Sequence, residues 1–358
     1  MKRFSFFIIL FVTLFASNVT IAETHPLAAE FSNIQDVLYL EDGSILYSKY
    51  DGENDIPHVN QLLNKIICID AAGKRIWKCE IPAFSYSPFS SLIETTSKCF
   101  AYLGKKNDGT FSVLTISKSG ELIKEYTLPE KISTPILLSD GVLYISEKNT
   151  IEKMLWNETI TSVESDNAFD RLVKAETVNA RTYISAVSDN EQLLLCIDAS
   201  GKEMWKYSLG EKENFVQAWC TQNDSLVVAC QSGKDITSNS NASIRLIEIN
   251  KGEKKWETEI SYRLSIVRAQ LLLHNTDESY SLFGRLDDNH GVYISISPKG
   301  RIIECTTVNA SFVDFVQYKD AIYAIEYATK GDVFPVSFVN YSLFAEDAFN
   351  GLDFCSVN

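Results

Sequence analysis

Histidine is nearly absent from this chain, with four in 358 residues, at positions 25, 58, 274 and 290. No histidine-rich catalytic motif can be built from so few. The eight cysteines, at positions 68, 79, 99, 196, 220, 230, 305 and 355, include no adjacent pair and no C-x-x-C. No spaced Cys/His set suggests a zinc site, so no metal is expected. Also missing are G-x-S-x-G, the phosphate-binding P-loop and G-x-G-x-x-G, which removes the common hydrolase and nucleotide signatures. Positive charge is in deficit, with 33 Lys and Arg against 47 Asp and Glu, a formal net charge of −14. Such a surface repels phosphate backbones and anionic lipid, so no nucleic acid is expected as a partner.

Long hydrophobic runs are lacking too, apart from one. Lys2 and Arg3 precede an uncharged, largely apolar run from Phe4 to Phe15, with the small residue Ala22 at a plausible cleavage point. That layout is a secretory signal peptide, and the run is short of the roughly 20 residues a bilayer crossing needs. The expectation is a signal peptide over 1–22 and a single domain over 23–358, secreted or periplasmic, without membrane insertion after cleavage. A monomer is expected. Removing Lys2 and Arg3 takes the net charge from −14 to −16. In an exported chain an even cysteine count permits disulfides, although most of these cysteines sit in apolar runs where a thiol acts as a small hydrophobe. Cys220 and Cys230, flanking Asn223-Asp224-Ser225, form the best candidate pair.

What the chain does have is a repeated phrase. IDAAGKRIW (69–77) returns as IDASGKEMW (197–205), and its grammar recurs in LTISKSGELIKEY (114–126), IEINKGEKKW (247–256) and ISISPKGRIIEC (294–305). Each reads as an alternating apolar run, a polar turn with glycine, and a second alternating run. This is a β-hairpin whose glycine supplies positive φ. The turn glycines Gly73, Gly120, Gly201, Gly252 and Gly300 are spaced by 47, 81, 51 and 48 residues. The long gap hides a worn copy. Trp156 in IEKMLWNETI stands 49 residues before Trp205, which stands 51 before Trp256, with Glu152 read in place of the glycine.

Upstream of each phrase lies a second pair of strands, so one unit is four antiparallel strands in about 48 residues, the period of propeller blades. The fold class is therefore all-β, a single β-propeller of four-stranded antiparallel blades. Seven units fit, near 31–83, 84–130, 131–165, 166–212, 213–260, 261–309 and 310–358; six blades with an irregular terminal segment is the alternative. The third unit is short, which predicts a clipped middle hairpin. Residues 23–36 are expected to pair with the last unit and close the ring. Trp77, Trp156, Trp205 and Trp256 are then blade-docking residues, each offering roughly 150–250 Å² to a neighbouring sheet.

The string CIDASGKEMW resembles the tryptophan-docking repeat of the pyrroloquinoline-quinone-like propellers, with a turn one residue shorter after Asp70 and Asp198. That resemblance implies the propeller fold and leaves two branches. The quinone-dependent dehydrogenases bind cofactor and calcium on the ring axis, and the alcohol enzymes carry a vicinal disulfide, which this sequence lacks. The non-catalytic branch fits better, with no cofactor. The alternative is an extracytoplasmic enzyme on the same scaffold, a quinone-dependent dehydrogenase or a polysaccharide-cleaving enzyme.

In such a strand order the loops between the second and third strands, and the links between blades, emerge on one face. The glycine hairpins emerge on the other. Loops without packing duties are where function is placed. Long segments on the first face are 51–61, 104–110, 231–243, 284–291 and 328–335, with the blade link 83–91 beside them. The link carries Phe84, Tyr86 and Phe89 around Pro88, aromatic faces that suit a carbohydrate or peptide. Asp51, Asp55, His58, Lys234, Asp235, Asp287, Asp288 and His290 supply the polar candidates. The Asp287-to-His290 stretch lacks the calcium-loop pattern and reads as a solvated turn. The expected function is a non-catalytic binding or scaffolding module for a protein, peptide or glycan partner, acting through this face.

Overall fold

The computed structural model describes residues 34–50, 63–85, 89, 91–189, 191–211, 216–222, 224–232, 243–261, 268–285, 290–309, 312–318, 321–327, 336–340 and 356–357. They form no helix. They form seven antiparallel sheets that follow one another along the chain, most of them four strands in simple up-and-down order. The first strand of each sheet touches the first strand of the next, from blade one through blade seven. These first strands are the inner ones, and the chain is a β-propeller.

The apolar alternation of the strands is spent between blades. One buried cluster joins blades one and two, with Leu46, Ile66, Cys68, Phe100, Tyr102 and Leu114. Equivalent clusters follow between two and three, three and four, four and five, and five and six. Each buried aliphatic side chain contributes about 1.5–3 kcal/mol. The core is thus a set of wedges between sheets.

The repeated phrase has a local reason and a long-range one. Locally, Asp70 Oδ1 accepts from the backbone N–H of Ala72 and of Lys74, both at 2.9 Å, while Gly73 turns the chain at φ 79°. Asp198 does the same for Ser200 and Lys202, at 2.8 and 3.1 Å. Ser117 and Ser297 substitute a hydroxyl, each at 3.0 Å from the N–H four residues on. An aspartate or serine opening such a turn satisfies its backbone donors in advance. At long range, the indole of one blade lies on the turn glycine of the next. A Cβ on Gly120 would stand 2.6 Å from Trp77, one on Gly252 2.9 Å from Trp205, and one on Gly300 2.4 Å from Trp256.

Blade three departs from the expectation in three ways. Its four strands, Ser133–Leu138, Gly141–Ile145, Ile151–Leu155 and Ile160–Ser162, are all present, so no hairpin is missing. The shortening is spread over brief strands and tight turns. The residue at the glycine position is Glu158, at φ 68°, and Glu152 lies inside the third strand. Trp156 sits in the turn itself, where it donates from Nε1 to the Ser139 carbonyl at 2.8 Å and packs 5.8 Å from the Tyr126 ring. Trp156 thus docks blade three against blade two, but from the turn and not from the outer-strand position that the tryptophan count assigned to it. The outer strands of blades one, two, four, five and six each carry a register shift just after the turn, and blade three has none. Without that bulge residue, Thr161 opposite Lys153 takes the place that Trp205 holds opposite Cys196. Gly201 accordingly meets the Ser162 carbonyl, 3.0 Å from its Cβ position. Blades three and four are joined there instead by backbone, with Glu164 N–H donating to the Gly201 carbonyl at 3.2 Å.

Two further expectations change at the ends of the ring. Ile34–Tyr39 pairs with Ile45–Tyr50 in blade one, so residues 34–36 belong to the first sheet rather than the last; residues 23–33 lie outside the described residues. Residues 356 and 357 pair with Ser261 and Ile260 on the outer strand of blade five, and not within blade seven. The Cys220–Cys230 pairing is also overturned. Both thiols are free, Cys220 stands opposite Val227 and Cys230 opposite Val216. They face opposite neighbours, Cys220 toward blade six and Cys230 toward blade four, because an odd-even offset places them on different faces of the sheet. Cys305 is disulfide-bonded, and Cys355 lies outside the described residues.

Candidate functional site

Strand alternation fixes which loops share a face. The blade links and the second-to-third-strand turns lie on one side, and the phrase hairpins on the other. The link between blades two and three is described in full, and so is the facing turn of blade three. Between them lies an open cleft of about 460 Å³, lined by Pro129, Glu130, Lys131, Ile132, Tyr144, Ser146, Glu147, Lys148 and Glu152.

The turn is held by Ser146 N–H donating to the Thr150 carbonyl at 2.9 Å, with Asn149 in the left-handed region at φ 57°. Its shortness brings the Lys148 and Glu147 side chains up to the link. Lys131 and Glu147 make an exposed ion pair at 2.5 Å across the cleft. Exposed pairs of this kind contribute at most about 1 kcal/mol, so this one orients more than it stabilises. On the second and third strands Tyr144 stands directly opposite Glu152. Tyr144 is fully buried, with its hydroxyl turned to the Glu152 carboxylate. Burial first, and the Glu152 carboxylate second, push the phenol pKa up to about 12. It stays protonated.

Toward the axis, the inner strands carry polar groups that the sequence reading passed over. Asp36 accepts from the N–H of Leu92, Thr134 Oγ1 from Leu172 at 3.0 Å, and Gln217 Oε1 from Ala269 at 2.5 Å. Each ties one inner strand to the second residue of the next. Burial outweighs both hydrogen bonds to Asp36 and raises its pKa to about 7. On blades four and five, Lys174 Nζ stands 5.3 Å from the Trp219 ring centroid, and Trp219 Nε1 donates to Glu176 Oε2 at 2.9 Å. Burial lowers the Lys174 pKa, against the opposing Glu176 charge.

The residues singled out from the sequence fare differently. Phe84 is fully buried, edge-on to Tyr102 with centroids 5.7 Å apart, and its ring fills the space beside Gly104. Phe89 packs edge-on to Phe111 at 6.2 Å, against the core between blades two and three. Neither ring is offered as a flat platform. The segment 104–110 is a strand end and a tight turn, with Gly109 N–H donating to the Lys106 carbonyl at 3.0 Å, so it is not a long loop. Tyr86, Asp51, Asp55, His58, Lys234, Asp235, Asp287 and Asp288 lie outside the described residues. His290 opens the third strand of blade six, opposite Asn309. Among the described residues no group of three or more His, Cys, Asp or Glu is arranged to hold a metal. The cleft residues were missed because they form no motif: Tyr144 and Glu152 meet only through strand register.

A fold and a loop face of this kind define a β-propeller, and the solved structures that the chain is similar to include a WD40 propeller domain. BamB from Moraxella catarrhalis matches at 16% identity over 83% of this chain and 92% of that one, with a TM-score of 0.46. The WD40 propeller domain of Doa1 matches at 13% identity over 82% and 90%, with a TM-score of 0.49. AztD from Citrobacter koseri matches at 11% identity over 74% and 73%, with a TM-score of 0.42. No family model matches the chain, and no curated protein does.

Proposed function

We propose that the chain is an exported, non-catalytic binding module of the tryptophan-docking propeller type, which engages a polypeptide partner through the face of its blade links. The observation that carries this reading is the open, charge-lined cleft between blades two and three, placed on that face. A glycan would need exposed aromatic platforms, and Phe84 and Phe89 are taken up by packing. Mixed carboxylates and ammonium groups around an apolar wall suit a peptide segment, whose backbone and side chains carry both signs of partial charge. Export is supported by Lys2 and Arg3 ahead of the apolar run to Phe15.

The test is site-specific photo-crosslinking in the producing cell. A photoreactive amino acid at Glu147, on the link face, is expected to give discrete polypeptide adducts. The same residue at Glu253, on the hairpin face, is expected to give none. Adducts from Glu253 alone, or from neither position, overturn the reading.

A further inference from the structure

We propose that the end of the chain is an oxidative clasp: Cys355 is the disulfide partner of Cys305, and this bond, with the pairing of Ser356 and Val357, ties the chain end across blades five and six and holds blade seven in the ring. The proposal is independent of what the link face binds.

Of the eight cysteines, Cys68, Cys79, Cys99, Cys196, Cys220 and Cys230 are free, and Cys305 is disulfide-bonded. The count leaves Cys355 as its partner. Position agrees with the count. Cys305 lies on the outer strand of blade six, opposite Ile294, and packs on the core shared with blade five. Ile260, near the end of the outer strand of blade five, belongs to that same core and pairs with Val357, while Ser261 pairs with Ser356. Cys355 itself is outside the described residues, but the residue after it is set beside the seam on which Cys305 packs. A disulfide needs Cα atoms within about 7 Å, a span of two residues of extended chain. Cys220 packs on the same core and is free, so closeness to that core alone does not make a bond.

The two attachments support each other. A pairing only two residues long does not repay the conformational entropy of fixing a chain end. Held by a covalent bond to blade six, the same residues meet blade five at high effective concentration. They then cover the end of an outer strand whose edge is otherwise open.

The bond also encloses a whole blade. The described strands of blade seven, Phe312–Tyr318, Ala321–Tyr327 and Val336–Asn340, all fall between Cys305 and Cys355. Closing that loop restricts the opened states in which blade seven leaves the ring. Forming the bond removes two electrons and two protons from the two thiols; a protein or low-molecular-weight disulfide accepts them by exchange and departs as two thiols. An incoming dithiol reverses the step, becoming a disulfide itself while the clasp opens. An oxidising compartment keeps the clasp shut, which fits an exported chain.

The test begins with peptide mapping of the full chain, alkylated under denaturing conditions without reductant. One linked pair, Cys305 to Cys355, is expected, with the other six cysteines alkylated. Limited trypsin digestion of the folded chain follows, with and without dithiothreitol. Cleavage between residues 306 and 354 should be about tenfold faster in the reduced chain, because it tracks the population of opened molecules. Cys355→Ser should be cleaved at the rate of the reduced parent and be insensitive to dithiothreitol. Cys99→Ser, which removes a free thiol, should stay within about twofold of the parent. Alkylated Cys305, or Cys305 linked to any other cysteine, overturns the pairing. Equal cleavage of the reduced and oxidised parent overturns the clasp, and that comparison decides even where Cys355→Ser does not fold. Loss of crosslinking at Glu147 bears on the link face alone.

Discussion

Trp77 of blade one occupies the space that any side chain at Gly120 of blade two would need, with 2.6 Å between its ring and the missing Cβ. Gly120 also turns at φ 85°, where an L-residue is strained by about 1–2 kcal/mol. Gly120→Ala therefore carries two penalties, the second an overpacking cost of roughly 1–3 kcal/mol. Gly109 turns at φ 92° with nothing within 4 Å of its Cβ position. Gly109→Ala should show the backbone cost alone. Urea unfolding of the two variants is expected to separate them by at least 1 kcal/mol, and equal losses would mean that the indole yields freely.

The same pair shows how much was legible in the sequence. Glycine and tryptophan recur at a fixed spacing because each blade repeats one hairpin and docks on the next, so the period gave both the fold and the docking residues of blades one, four and five. Blade three was misread because dropping a single bulge residue shifts the outer strand by one place, moving the docking position to Thr161 while a tryptophan happened to lie nearby in the turn. The cleft had no signal of this kind. Tyr144 and Glu152 are brought together by pairing across a hairpin, and the link residues 129–132 by the return of the chain between blades. Aromatic character in Phe84 and Phe89 was visible, but sequence does not say which way a ring turns.

Lys153 stands opposite Thr161, the residue in the indole's place, at the position that Cys196 holds in blade four. Its ammonium, almost wholly buried, lies 2.7 Å from Asp140 Oδ2 and 3.0 Å from Thr182 Oγ1 of blade four. Thr177 adds a hydrogen bond to Asp140 Oδ1 at 3.2 Å. Breaking one side of a buried pair strands the other and costs about 3–5 kcal/mol. Asp140 is partly exposed, so Lys153→Ala belongs at the lower end of that range, with a packing loss added. Lys153→Met combined with Asp140→Asn, which removes both charges and keeps the volume, should lie within about 1.5 kcal/mol of the parent. Chemical denaturation of the single and paired variants checks this, and a paired variant as unstable as Lys153→Ala would show that the ions themselves hold the interface.

Asp36 gives the inner strands a pH dependence of definite sign. Its pKa is raised to about 7 in the fold, against an ordinary value of 3.8. Between those values the folded state holds a proton that the unfolded state has released. The stabilisation is whole below about pH 4, declines as pH rises through the window, and is gone above about pH 7. Asp36→Asn keeps an oxygen for the Leu92 N–H and removes the titration. Melting temperatures from pH 4 to 8 should therefore converge for parent and variant at the acid end, with the variant the more stable at pH 8. A parent that gains stability relative to the variant as pH rises would mean that the backbone donors, not burial, decide the charge.

Thiol reactivity follows from the same separation of faces. Cys230 is buried between blades four and five and its pKa is pushed up to about 12; Cys68 and Cys196 are buried and raised to about 11. The nucleophile is the thiolate, so at pH 7.5 these three are nearly inert in two independent ways, by protonation and by access. Cys99, free and only partly buried, should take up a maleimide first. Peptide mapping of the native protein after brief labelling is expected to find the adduct on Cys99, with Cys68, Cys196 and Cys230 modified only after unfolding in guanidinium. Fast native labelling of Cys230 would mean that blades four and five part on the timescale of the reaction, because no smaller motion brings reagent to a thiol enclosed by both sheets.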